Sequence, residues 1–226
     1  GVIGNGDWYS STPVQIQGLS NIKAIAAGWR SALAVDKDGA VWAWGANYFG
    51  ELGNGTTDDD VHPIPVKVTA LNGVKIKAIA AGYLTSVALA TDGKAYTWGS
   101  NLNGQLGNGT TGAYNATPAQ VTGISGVTAI AAGSFHMLAL MNDGTVWAWG
   151  GQNDFGQTGT GGNTPTPINN LGGVISIAAG ETHSLAIKAD GTLWAWGSNT
   201  NNQLGIQGDH YGETTPHPTP LQVVSQ

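Results

Sequence analysis

One unit recurs four times along this chain, and a tandem repeat of that length dictates an architecture before any single residue does. It reads IKAIAAGWRSALAVDKDGAVWAWG at 22–45 and IKAIAAGYLTSVALATDGKAYTWG at 76–99. It returns as VTAIAAGSFHMLALMNDGTVWAWG at 127–150 and VISIAAGETHSLAIKADGTLWAWG at 174–197. The first glycine of each unit (Gly28, Gly82, Gly133, Gly180) precedes the Asp-Gly glycine (Gly39, Gly93, Gly144, Gly191) by 11 residues, and the closing glycine (Gly45, Gly99, Gly150, Gly197) follows 6 later. The period is 54, 51 and then 47 residues, so length varies only in the connectors. Connectors repeat too, as N-x-x-G-x-L-G-N-G-T followed by Pro-x-x-V: Asn47 to Thr56 with Pro65–Val68, and Asn101 to Thr110 with Pro118–Val121. Looser copies run from Asn153 to Gly161 and from Asn199 to Gly208, and residues 3–16 match the second half of a connector.

The local chemistry predicts strands. A-I-A-A-G, S-L-A-L and V-W-A-W are short apolar or alternating runs bounded by glycine or Asp-Gly, too brief for helices. Each Asp-Gly pair, such as Asp38-Gly39, sits between two such runs as a hairpin turn. With the Pro-x-x-V segment, each repeat offers about four strands, one blade of an all-β propeller. Alternation puts the paired aromatics (Trp42/Trp44, Tyr96/Trp98, Trp147/Trp149, Trp194/Trp196) on one face, as core between blades rather than a sugar-stacking platform. The small A-I-A-A-G residues suit the crowded region beside a central channel. Since one blade cannot bury both its faces, neighbours must stack on it.

These units resemble the regulator of chromosome condensation repeat, whose pattern is roughly A-A-G-x-x-H-S-L-A-L…D-G-x-V-W-x-W-G-x-N-x-x-G-Q-L-G. The resemblance extends from residue 3 to about residue 224 and implies a β-propeller, commonly of seven blades, without implying one activity. At about 50 residues per repeat, seven blades need roughly 350 residues, and the chain has 226. Four strand sets are expected as one repeat domain over 1–226, at roughly 12–45, 63–99, 117–150 and 165–197, with partial repeats at 1–11 and 198–226. A fifth Pro-x-x-V strand, Pro220 to Val224, is expected to lack partners. Three arrangements remain open: part of a longer propeller, an open arc completed at its edges by another chain, or a small closed ring.

Charge narrows the partners. Lys and Arg total 8, spaced singly in sequence, and the net charge is −6. A surface that neutralises phosphates needs a dense basic face, so nucleic acid is an improbable partner. Cysteine is absent, which removes disulfides and thiolate chemistry. No apolar run approaches a membrane span, and the chain opens on Gly1 without a signal-peptide pattern. Loops rich in Asn, Thr, Gly and Gln favour an extracellular or cell-surface bacterial protein. Asn54, Asn108 and Asn115 begin N-x-T sequons.

Catalytic and metal motifs are missing. His136 and His183 share one repeat position with Ser31 and Thr85, which suits a polar group bonding a neighbouring strand better than a ligand or base. His62, His210 and His217 fall in connectors without a second ligand at metal spacing. Glu51 and the run Asp58–Asp60 lack calcium-loop spacing and read as a solvated loop. No enzyme activity and no cofactor are expected.

The positions where the copies disagree are more informative. After the A-A-G turn stand Trp29-Arg30, Tyr83-Leu84, Ser134-Phe135 and Glu181-Thr182; after the W-G turn stand Tyr48-Phe49, Leu102-Asn103, Asp154-Phe155 and Thr200-Asn201. Variable aromatic loops on a fixed scaffold have the composition of a protein-recognition surface, with Trp29, Arg30, Tyr83, Leu84, Phe135, Tyr48, Phe49 and Phe155 as its candidates. The equal alternative is that these aromatics cover blade ends. The resemblance adds that a bacterial β-lactamase inhibitory protein with similar repeats binds through loops on one propeller face. The expected function is thus a non-enzymatic protein-binding scaffold, with enzyme inhibition as a narrower version. The alternative is a structural module of a larger assembly, self-associating through open blade edges. Nucleotide exchange with chromatin docking, the activity behind the family name, fits the acidic charge less well.

Overall fold

The computed structural model of the chain describes residues 3–7, 9–151, 153–159, 161–206 and 215–224. Four four-stranded antiparallel sheets follow one another. The first contains β1 (Ile22–Ala27), β2 (Ser31–Asp36), β3 (Val41–Ala46) and β4 (Val61–Lys67). The second contains β5 (Ile76–Ala81), β6 (Thr85–Ala90), β7 (Ala95–Asn101) and β8 (Ala113–Gln120). The third contains β9 (Val127–Ala132), β10 (His136–Met141), β11 (Val146–Gly150) and a two-residue β12 (Thr166–Pro167). The fourth contains β13 (Val174–Ala179), β14 (His183–Lys188), β15 (Leu193–Gly197) and β16 (His217–Val223). The Asp-Gly pairs form the expected hairpins. Gly39 sits at φ 87°, and its N–H donates to the Asp36 carbonyl at 3.0 Å.

Strands are where the pattern predicts, but the blades are phased differently. Each outer strand comes from the connector after its repeat unit, not before it: Trp42 pairs with Lys67 and Tyr96 with Gln120. The blades therefore run 22–67, 76–120, 127–167 and 174–223. Consequently the strand at Pro220 is not unpartnered: Leu193 pairs with Val223 and Ala195 with Leu221. Residues 12–20 form no strand; Ile16 and Leu19 instead pack over Trp44. The physical reason is pairing: Pro-x-x-V can complete a ladder only beside a free W-A-W edge, and that edge precedes it in sequence. Proline is tolerated there because β4 and β16 are edge strands, with one side unpaired. His62 and His217, connector residues, lie in these outer strands; His210 lies outside the described residues.

Blades stack through three apolar cores. Leu33, Val35 and Val41 of the first meet Ile76, Ile79 and Trp98 of the second. Val87 and Leu89 meet Met137 and Trp149, and Leu138 and Leu140 meet Ala186 and Trp196. Among the described residues no such core joins the fourth blade to the first, so the sheets form an arc rather than the small closed ring left open by the sequence. At the channel the turns approach so closely that a methyl on Gly28 would lie 2.8 Å from the Gly82 carbonyl oxygen. Glycine is required there by space rather than by dihedral angle.

Indoles lock the stack. Trp98, Trp149 and Trp196 are fully buried and donate Nε1–H to the carbonyl oxygens of Glu51, Gln105 and Gln157, at 2.8, 2.9 and 2.9 Å. Their aromatic partners Tyr96, Trp147 and Trp194 pack on the same clusters, as inter-blade core. The connector of one blade is thereby pinned to β7, β11 or β15 of the next. Buried Asn47 and Asn101 brace that connector, each accepting from the Leu N–H five residues on and donating to a threonine carbonyl.

Two buried ionisable groups sit at these junctions. Glu51 is 1% exposed, which overturns its reading as part of a solvated loop. Its Oε2 accepts the Phe49 N–H, as the Gln105 side chain does for Asn103, but Oε1 has no hydrogen-bond partner among the described residues. Burial, reinforced by Asp58, raises its pKa, so the folded chain holds this proton to higher pH than the unfolded chain does. His136 is fully buried, with Nε2 2.9 Å from Ser184 Oγ of the next blade. That hydroxyl donates to the Gln157 carbonyl, so Nε2 is the protonated nitrogen. At the same repeat position Thr85 bonds the Ser100 carbonyl. The polar, structural reading of this position therefore holds. Burial, with the charge of His183 adding to it, lowers the His136 pKa to about 4.

Opposite pH signatures follow. Glu51→Gln supplies a neutral amide and should raise stability at pH 7.5 by on the order of 1 kcal/mol. That gain should vanish below the ordinary glutamate pKa, where the wild-type acid is protonated in both states. His136 acts the other way: the unfolded chain takes up its proton near pH 6.5 while the fold resists until about 4. This group alone removes about 3 kcal/mol of stability as pH falls through that window. Urea unfolding at several pH values should show that the penalty of His136→Thr shrinks on acidification; parallel pH profiles would exclude the assignment.

Candidate functional site

The antiparallel order brings both sets of variable loops to one end of the arc. Ser31 pairs with Gly45, so the loop after A-A-G lies beside the loop after W-G, and the Ala46 N–H donates to the Arg30 carbonyl at 2.8 Å. Ser100 bonds Leu84, and Ser198 bonds Thr182, in the same way. The Asp-Gly turns occupy the opposite end.

Within this loop face the structure gathers part of the candidate set. The Trp29 and Tyr83 rings stack with centroids 4.2 Å apart and 17° between planes. Phe135 joins Tyr83 in a tilted contact at 5.5 Å, and the Arg30 guanidinium lies 3.9 Å from the Trp29 ring centroid. Aromatic pairs and cation–π contacts of this kind contribute about 0.5–1.5 kcal/mol each. Backbone bonds hold the spacing between blades: Tyr83 N–H donates to the Ser134 carbonyl, and Ser134 N–H to that of Glu181. Although stacked, Trp29 remains 48% exposed.

Trp29, Tyr83, Ser134 and Glu181, the residues after each A-A-G glycine, line a cavity of about 350 Å³ to which all four blades contribute. Ser134 and Glu181 were not among the sequence candidates, although their shared repeat position was the signal. The other candidates are separate. Tyr48, Phe49 and Phe155 are half-buried, and among the described residues no ring contact links them to the Trp29 cluster. Phe49 and Phe155 donate backbone N–H to Glu51 and Gln157, so these loops are fastened to the blade junctions. Leu84 is half-buried beside β7. Among the described residues no three His, Asp or Glu side chains gather as a metal site, and Asp58 pairs with His62 at 2.9 Å.

Comparison with known proteins agrees with this geometry. The family model for the RCC1-like domain matches residues 1–226. The ultraviolet-B receptor UVR8 of Arabidopsis thaliana is 35% identical over 156 residues, which cover 66% of this chain and 35% of that protein. The structure of human WBSCR16 superimposes with a TM-score of 0.81 at 24% identity, over 97% of this chain and 57% of that one. Prp20p of Saccharomyces cerevisiae, whose structure is described with its binding to Gsp1p and histones, gives 0.78 at 29% identity, over 91% and 50%. The chain thus spans about a third to a little over half the length of these relatives, and its arc corresponds to part of a larger propeller. Repeat pattern, sheet order and sequence similarity together make this chain a member of the RCC1-like repeat family.

Proposed function

We propose that the chain is a non-enzymatic protein-recognition propeller segment that engages its partner through the Trp29–Tyr83–Phe135 face. One observation carries this reading: a large aromatic side chain is held rigid by stacking yet left 48% exposed to solvent. The tryptophans that lock the blades together, Trp98, Trp149 and Trp196, are by contrast fully buried. Preordered Trp, Tyr and Arg side chains are the residue types on which binding energy concentrates, because little conformational entropy is lost on docking. The binding of Gsp1p and histones described for the yeast relative supports protein recognition as the general class.

The second reading, assembly through an open blade, also has an observation behind it. Val35, Leu89 and Leu140 are at most 5% exposed, whereas Ile187 at the same repeat position in the fourth blade is 40% exposed. Likewise Val68, Val121 and Ile168 are buried, whereas Val223 at the same repeat position is only half-buried. That sheet face has the shape and polarity of one awaiting another blade, from the same chain or another.

Two experiments separate these readings. Partners retained by the immobilised full chain should fall about tenfold or more with Trp29→Ala/Tyr83→Ala; unchanged capture of every partner would remove the loop-face reading. Light scattering addresses the open blade. Self-association that Ile187→Glu abolishes would support completion by another copy, and a monomer with one cooperative melt would exclude it.

A further inference from the structure

The lysines that look dispersed in sequence are sorted to one end of the fold. Lys37 and Lys94 stand in Asp-Gly hairpins, and Lys23, Lys75 and Lys77 stand at the starts of β1 and β5. Lys67 ends β4 opposite Trp42, and Lys188 ends β14. The pairings Ile22 with Asp36, Ile76 with Ala90 and Val174 with Lys188 put all of these at the Asp-Gly end. Arg30 is the one cation of the eight at the loop face. Six of the seven lysines belong to the first two blades and the segment joining them, and all six are exposed.

Few carboxylates offset them. In those two blades the same end carries Asp36, Asp38 and Asp92. Asp36 is occupied by its own turn, accepting from Asp38 N–H, Ala40 N–H and Trp42 Nε1–H at 3.0, 2.9 and 3.3 Å. Asp92 pairs with Lys94 at 3.0 Å. A chain of net charge −6 therefore presents a locally basic surface.

A groove of about 230 Å³ runs through this surface between the Asp-Gly hairpin of the first blade and the segment joining β4 to β5. Buried Val41, Val68 and Leu71 contribute to its walls, and exposed Lys67 and Lys75 outweigh the single carboxylate of Asp38 in its charge. The volume is below the about 300–1,000 Å³ of a small-molecule pocket and suits a single inserted side chain.

We propose that this groove docks an acidic polypeptide segment, with one apolar side chain between the hairpin and the β4–β5 segment and flanking carboxylates on Lys67 and Lys75. Charge complementarity selects the partner's sign. The groove and the residue types select polypeptide over nucleic acid. The face has no arginine, the bidentate reader of phosphate, and the apolar walls of the groove accept a side chain but not a charged phosphate. This surface lies at the end opposite Trp29, so it neither requires nor excludes the loop-face reading.

Fluorescence anisotropy of the full chain tests it, with a labelled peptide of glutamates flanking a single leucine as the probe. Saturable binding that weakens with salt is expected. Lys67→Glu/Lys75→Glu should weaken it about tenfold or more, and replacing the probe's leucine by serine should weaken it severalfold. Trp29→Ala should leave it unchanged, which keeps this test distinct from the loop-face test. The variant lysines are exposed, and a matching thermal melt verifies the fold. The proposal is overturned by absent binding at low ionic strength, by binding indifferent to the double variant, or by tighter binding of a charge-matched single-stranded oligonucleotide.

Discussion

Everything in this molecule hangs on an indole N–H reaching a main-chain carbonyl in the preceding connector. Trp98, Trp149 and Trp196 each make that bond from a fully buried position. Replacing such a tryptophan by alanine would remove the buried indole and leave a cavity, a loss of about 3–5 kcal/mol. The bond does more than glue sheets. It fixes the connector carrying Glu51, Gln105 or Gln157, whose side chain then caps the loop above it. Blade stacking and loop conformation are therefore one mechanical problem.

That coupling explains how variable loops hold definite geometry. The residues after A-A-G differ in every copy, yet Tyr83, Ser134 and Glu181 are joined by main-chain hydrogen bonds between blades. Backbone spacing is thus independent of side-chain identity, and side chains can diversify without loosening the frame. The same separation operates at the other end, where the hairpin carboxylates bond the backbone of their own turns while the exposed lysines shape the surface. The arc consequently presents two chemically different ends, one aromatic and one basic.

Much of this was legible in the residues. Strand positions, hairpins and the packing role of the paired aromatics follow from alternation and glycine spacing, because a half-buried strand must alternate. Blade phase was not. In a tandem repeat an outer strand lies between two units, and periodicity cannot say which one it joins; the pairing of Trp42 with Lys67 decides it. Nor could the solvation of Glu51 be read, since its burial comes from the neighbouring blade that packs over it.

The sequence by itself determined the repeat, the strands, the hairpins and the family, since each depends on interactions within a few dozen residues. Tertiary structure alone decided which connector completes which blade, which aromatics meet, and that dispersed lysines share a face. Those outcomes depend on distances between residues roughly a repeat apart. Spacing along a chain sets such distances only after the sheets have stacked.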